Sequence, residues 1–160
     1  MTDRPPLVAR ARAPVARAQA GWIAAMDPWR GLGYRAPALG RWLARVASQN
    51  SDEIWLARAR MRGPVQGIVV VQGNFLLGSF IALLAVRSSA AGRGVGRALM
   101  AHIEARALAS RRWLYVSFDR DNQAARRFYR RQGFVRVGAL PDLLKPGRVE
   151  VLLRKGRPRV

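Results

Sequence analysis

The stretch Leu84-Ala85-Val86-Arg87-Ser88-Ser89-Ala90-Ala91-Gly92-Arg93-Gly94-Val95-Gly96-Arg97-Ala98-Leu99-Met100 sets three glycines at alternate positions between an apolar, strand-length run and a helix-like one. Glycine lets successive backbone N–H groups converge on a ligand that side chains would hold off. A helix starting there adds the partial positive charge of its first turn, and Arg93 and Arg97 add full charges. Chemistry alone makes this loop a phosphate cradle. Two nucleotide-binding patterns fail on it. The GxxxxGK[ST] loop needs a lysine, and none precedes Lys145. A G-x-G-x-x-G/A fingerprint started at Gly92 ends on Arg97, and one started at Gly94 ends on Leu99.

Upstream of the loop the hydrophobic period is two. Runs at 54–60, 65–72 and 76–86, separated by Arg62-Gly63-Pro64 and Gly73-Asn74, predict an antiparallel meander. The third run is apolar on both faces near 81–86, which predicts a central strand covered by helices. Earlier still, Val15, Ala18, Trp22 and Met26 predict a helix ended by Pro28, Gly31 and Gly33, and Leu39, Trp42, Leu43 and Val46 predict a second one opened by Pro37. Residues 1–14 carry Pro, Ala and Arg without period, so they are expected as a flexible or docked tail before a single domain over 15–160.

Downstream, a helix over 97–110 buries Leu99, Met100, Ile103, Ala107 and Leu108, and a strand at 113–118 completes a right-handed β-α-β crossover. A helix over 122–132 ends at Gly133, and strands follow near 134–139 and 148–153. The expected class is α/β, with a mixed, largely antiparallel central sheet of about six to seven strands and flanking helices.

Composition limits the chemistry. The 160 residues contain no cysteine and one histidine, His102, which excludes thiolate zinc sites, cysteine nucleophiles and histidine clusters, so no metal is expected. No apolar run approaches the ~20 residues that span a bilayer, and residues 1–12 lack an apolar signal segment, so a cytoplasmic protein without membrane contact is expected. Net charge is +20, from 29 basic against 9 acidic residues, and all the basic ones but Lys145 and Lys155 are arginine. The arginines are scattered, which fits codon usage better than a dedicated nucleic-acid surface, but the field still draws anions. It favours an acidic or phosphate-bearing partner, or a protein N-terminus on an anionic particle, over a polycation.

The late helix carries a second pattern, Asn122-Gln123-Ala124-Ala125-Arg126-Arg127-Phe128-Tyr129, ending in Gly133-Phe134. At 100° per residue Asn122, Ala125 and Tyr129 fall within about 60° of one another, while Phe128 and Ala124 point elsewhere. A small residue, an amide and a phenolic proton therefore share one face.

The glycine loop and the late helix, in this order and at this spacing, resemble the two signatures of the GNAT superfamily of N-acetyltransferases. With the strand order, the likeness covers about residues 50–154. It implies a GNAT-like sheet with a β-α-β cofactor crossover and acetyl-CoA as cosubstrate. The backbone of Gly92, Arg93, Gly94, Val95, Gly96 and Arg97 would bind the CoA pyrophosphate. The strand edge at Leu84 and Val86 would pair with pantetheine and polarise the acetyl carbonyl, and Asn122 and Ala125 would flank the cofactor. Tyr129 would be the general acid that protonates the leaving thiolate. The family often has glutamine or arginine where this chain has Ala91, so one side-chain contact is lost. The implied partners are acetyl-CoA and a primary amine, either a small molecule or a protein amine, and the resemblance also allows a homodimer. The other reading is a non-catalytic CoA-binding or nucleic-acid-binding module on the same fold.

An amine must lose protons, and Glu53, Asp119, Asp121 and Glu150 are the candidate bases. Asp119 fits a cap or loop charge near Asn122, and Glu150, between Val149 and Val151, fits a solvated sheet face paired with an arginine. His102 is expected on the surface, Trp22 and Trp42 in the core, and Trp29, between Pro28 and Arg30, against substrate.

Overall fold

Period-two alternation in the strands assigns each apolar side chain to one of two helical layers. The structure, a computed structural model, describes residues 4–157. Strands β1 (Leu7–Arg10), β2 (Glu53–Arg58), β3 (Val65–Phe75), β4 (Gly78–Val86), β5 (Trp113–Asp119), β6 (Val135–Pro141) and β7 (Val149–Gly156) form one sheet in the order β1-β2-β3-β4-β5-β7-β6. All neighbours are antiparallel except β4 and β5, which are joined by the crossover helix α4 (Val95–Ser110). Ile54, Leu56, Ile68 and Val70 pack with Leu39, Leu43 and Val46 of α3 (Ala36–Ala47). Trp55, Val69 and Val71 face the other way, onto Val95, Leu99 and Ile103 of α4 and Tyr129 of α5 (Gln123–Arg131).

Strand β4 breaks this alternation. In its ladder with β3, Val71 pairs with Ile81 and Val70 with Leu83, so Ala82 is an extra residue without a partner. The bulge flips the faces: Ile81 belongs to the α4 side, whereas Leu83 and Ala85 belong to the α3 side. Pairing of β4 with β5 covers only Gly78–Ile81 against Trp113–Val116. Past the bulge the two strands separate, because β5 stays with β7 along its whole length. The sheet opens where the parallel pairing of β4 with β5 ends.

Two local expectations are corrected, and part of the expected tail takes a strand. The early helix is two short ones, α1 (Ala13–Arg17) and α2 (Ala20–Ala24), burying Ala16, Ala20 and Ile23 and leaving Val15 and Ala18 exposed. Buried Gln19 explains the break. Its Nε2 donates to the Val15 carbonyl at 2.9 Å, the acceptor a continuous helix would use, and its own N–H turns to Ala16. Residues 7–10, inside the expected tail, pair with β2, while residues 1–3 of that segment lie outside the described residues. The turn expected at Gly73-Asn74 lies at Leu76-Leu77 instead, because Phe75 pairs with Gly78. Gly73 is held in the sheet margin, its N–H donating to the Ser51 carbonyl and to Asp52 Oδ1.

Candidate active site

Helix α4 begins without a side-chain cap. Its N-cap is Gly94, at φ 77°, and the first helical bond runs from Ala98 N–H to the Gly94 carbonyl. The N–H groups of Val95, Gly96 and Arg97 therefore have no partner within the helix, and they sit at its positive end. Val95 turns its side chain into the core, so only its backbone faces outward, whereas Arg93 and Arg97 are exposed. A Cβ on Gly94 would be 3.4 Å from the Arg97 guanidinium. The loop fits an anionic phosphate: unpaired donors, two cations and no side chain at the two left-handed glycines, Gly92 and Gly94.

Gly96 joins this end to the late helix. A Cβ there would be 3.5 Å from Phe128 and 3.6 Å from Val86, so β4, α4 and α5 touch at that point. Helix α5 is capped by Asn122, whose Oδ1 accepts from Ala125 N–H at 3.0 Å, leaving the side-chain amide to donate elsewhere. Tyr129 stacks with Phe118 at 5.9 Å and meets Phe128 and Phe134 edge-on. Burial holds its phenol protonated well above the ordinary range.

Asn122, Ala125 and Tyr129 all face a cavity of about 220 Å³ in the opening between β4 and β5. Leu84 and the bulged Ala82 form one wall, and Glu150 lies on the opposite side. Val86 packs beside Phe128 rather than on this wall. Trp29 and Tyr34 close the outer end.

Of the four candidate bases, two lie at the cavity. Glu53 is on the far side of the molecule, paired with Arg106 at 2.6 Å and bonded by Trp55. Asp121 is exposed outside the cavity lining. Asp119 lines the cavity but is occupied: Oδ1 accepts from Asp121 N–H at 2.8 Å and Oδ2 from Arg148 at 2.7 Å. Glu150 departs from expectation. It is only 4% exposed rather than solvated, and Arg148 pairs with Asp119 instead of with it. Burial, then the Asp119 charge, raises its carboxyl above the ordinary value of 4.5, against lowering by Ser117 and Arg148. Tyr34 shares this surrounding, its phenol raised by burial and by the Glu150 charge.

The sequence did not single out Tyr34, and it offered Glu150 as one of four candidate bases while placing it on a solvated face. An acid between two valines in a strand is the same signal whether its face is wet or dry. Trp42 is half-buried and lines an outer groove, and His102, expected on the surface, is half-buried with its ring 4.2 Å from that of Trp55. Among the described residues no cluster of His, Asp and Glu could hold a metal ion, and no helix is long and apolar enough to cross a membrane.

A family model described as the acetyltransferase (GNAT) domain matches residues 50–136. An acetyltransferase from Thermus thermophilus superposes with a TM-score of 0.77 at 19% identity, covering 98% of this chain and 99% of its own. An aminoglycoside 6'-N-acetyltransferase complexed with coenzyme A gives 0.76 at 16% identity, covering 96% and 99%. An acetyltransferase of the GNAT family from Desulfovibrio desulfuricans gives 0.74 at 17% identity, covering 94% and 98%. Among curated proteins no match to the sequence is found. At these identities the likeness concerns the fold.

Proposed function

Because the chain belongs to the GNAT acetyltransferase family, as the match over residues 50–136 shows, we propose that it transfers the acetyl group of acetyl-CoA to a primary amine by direct attack within a ternary complex. The observation that carries this reading is the shared cavity: the opening between β4 and β5 presents the bulged strand edge, the Tyr129 phenol and an unpaired buried carboxylate to one space. The CoA-bound acetyltransferase of the same fold supports the choice of cosubstrate. We take β1 as part of the same functional unit, since all seven strands join one sheet.

The residues divide the work. The free N–H groups of Val95, Gly96 and Arg97, with Arg93 and Arg97, hold the pyrophosphate. The β4 edge at Ala82 to Leu84, unpaired with β5, offers backbone groups to pantetheine and the thioester carbonyl. Glu150 takes a proton from the acceptor ammonium. The neutral nitrogen attacks the thioester carbon, the C–S bond breaks, and the thiolate takes the Tyr129 proton. The nitrogen's second proton restores the Tyr129 phenol and Glu150 releases the first to solvent, so each turnover yields one amide, one free thiol and one proton. With no cysteine, an acetylated thiol on the protein is excluded, which favours direct transfer.

Titration calorimetry with acetyl-CoA and CoA at two salt concentrations tests the cradle without an acceptor. One-site binding that weakens with salt and with Gly94→Glu is expected. Absence of binding at both salts would sink the reading and turn attention to nucleic acid as ligand of the positive field.

A further inference from the structure

The reaction cavity does not end at Trp29 and Tyr34. It continues into a groove of about 670 Å³ that shares Trp29, Tyr34, Phe80 and Leu144 with it and adds Trp42. Among the groove's lining residues the one charged side chain is Arg35. Four of its lining residues are aromatic, and Leu144 is 49% exposed. At the inner end stands Glu150, buried and without an ion pair among the described residues. A surface that apolar beside one buried carboxylate without an ion pair suits a ligand with one cationic end and an apolar body.

We propose that the acceptor is a small primary amine of single positive charge with an aromatic or branched apolar body, the body lying between Trp29, Tyr34, Trp42, Phe80 and Leu144 and the ammonium at Glu150. The proposal rests on the acetyltransferase reading and specifies its acceptor half. It runs against the direction in which net charge alone points. A field of +20 repels a polycation strongly and a monocation little, while the lining near the reacting nitrogen is acidic and aromatic. An acidic amine finds one cation in the groove, Arg35, but an amino acid carries its α-carboxylate on the same carbon as the ammonium, which sets like charges together at Glu150. Aromatic rings also attract an ammonium on its way in. Each methylene buried in the groove raises affinity by about fourfold, so a phenyl-bearing amine gains about a hundredfold over ethylamine.

The test is thiol release from acetyl-CoA with ethylamine, phenethylamine, tryptamine, glutamate, spermidine and a short peptide, alongside CoA titration. Phenethylamine and tryptamine are expected to exceed ethylamine by about a hundredfold in kcat/KM, with glutamate and spermidine below it. Leu144→Glu, at an exposed position that does not endanger folding, is expected to cut phenethylamine turnover at least tenfold through KM, with CoA affinity unchanged. Equal turnover of ethylamine and phenethylamine, preference for glutamate, spermidine or the peptide, or indifference to Leu144→Glu overturns the proposal while CoA binding leaves the acetyltransferase reading standing. If CoA binds but no amine is turned over, quenching of tryptophan fluorescence by phenethylamine in the CoA complex decides: quenching that Leu144→Glu weakens supports it, and none overturns it. Loss of CoA binding overturns both.

Discussion

Asp119 and Glu150 are direct cross-strand partners in the β5–β7 ladder, both buried, yet only Asp119 has a cation. Arg148 comes to Asp119 at 2.7 Å, and the paired charge then helps to hold the proton on Glu150. One carboxylate anchors the loop into α5, and the other has no ion pair among the described residues. Two like groups with opposite surroundings are the usual arrangement of a site that separates structural charge from proton transfer.

Glu150→Gln is expected to stabilise the protein at neutral pH and to remove the acid limb of activity. The folded carboxyl is raised above 4.5. Its contribution is therefore full below the unfolded value and is lost as pH rises through the folded one, and glutamine suffers no such loss. Thermal melts at pH 4 and 8 check this: the variant gains about 1 kcal/mol at pH 8, worth about 2–4 °C, and little at pH 4. The wild-type acid limb of kcat/KM lies above the ordinary carboxylate range and disappears in the variant.

Tyr129→Phe keeps the ring stack on Phe118 and removes only the proton. Acetyl-dependent thiol release is expected to fall about 10²–10⁴-fold in kcat, with CoA affinity within a few fold of wild type. Because burial raises the phenol's pKa, the wild type keeps this acid through the alkaline range up to the ordinary tyrosine value. A loss in CoA binding equal to the loss in rate would assign Tyr129 to packing alone.

Gly67→Ala tests the seat of the cradle. A Cβ there would stand 2.7 Å from Val95 and 3.0 Å from Leu99, so α4 must lift from β3. The expected cost is about 1–3 kcal/mol in denaturant unfolding. The lifted helix carries the Gly94 loop with it, so CoA affinity falls as well, although Gly67 lies outside the loop.

The hairpin at Leu76-Leu77 forces two leucines to φ 43° and 61°, both largely exposed. The double change Leu76→Asn with Leu77→Gly supplies the residues that a two-residue turn with positive φ prefers. A gain of about 1–2 kcal/mol is expected in thermal unfolding, with thiol release unchanged.

The α4 pattern, the meander, the crossover and the face shared by Asn122, Ala125 and Tyr129 were all legible in the residues, because each depends on local period and spacing. So was the uncapped loop at Gly92 to Gly96, since glycine at a strand-to-helix junction reports its own backbone freedom. Less local features were not. Gly73-Asn74 looked like a turn because glycine marks close approach as well as reversal, and only the neighbouring Ser51 carbonyl tells them apart. Gln19 broke a helix that its neighbours' periodicity supported, by a side-chain bond that no hydrophobic pattern encodes.

The backbone donors, the helix start and the face that carries the phenol each depend on residues close together along the chain, so residue order is enough to specify them. The acid that lines the same cavity owes its burial to distant segments. Val149-Glu150-Val151 reads alike on a wet or a dry face, and Glu150 became buried because β7 is enclosed between β5 and β6. The extra residue at Ala82 was equally invisible, since a bulge exists only in the pairing of β4 with β3. The outer groove joins residues from α3, β4 and the loops before α3 and before β7, brought together by the sheet's opening past Ile81. Burial and pairing are properties of the neighbours a residue acquires, and those are assigned only when distant segments meet.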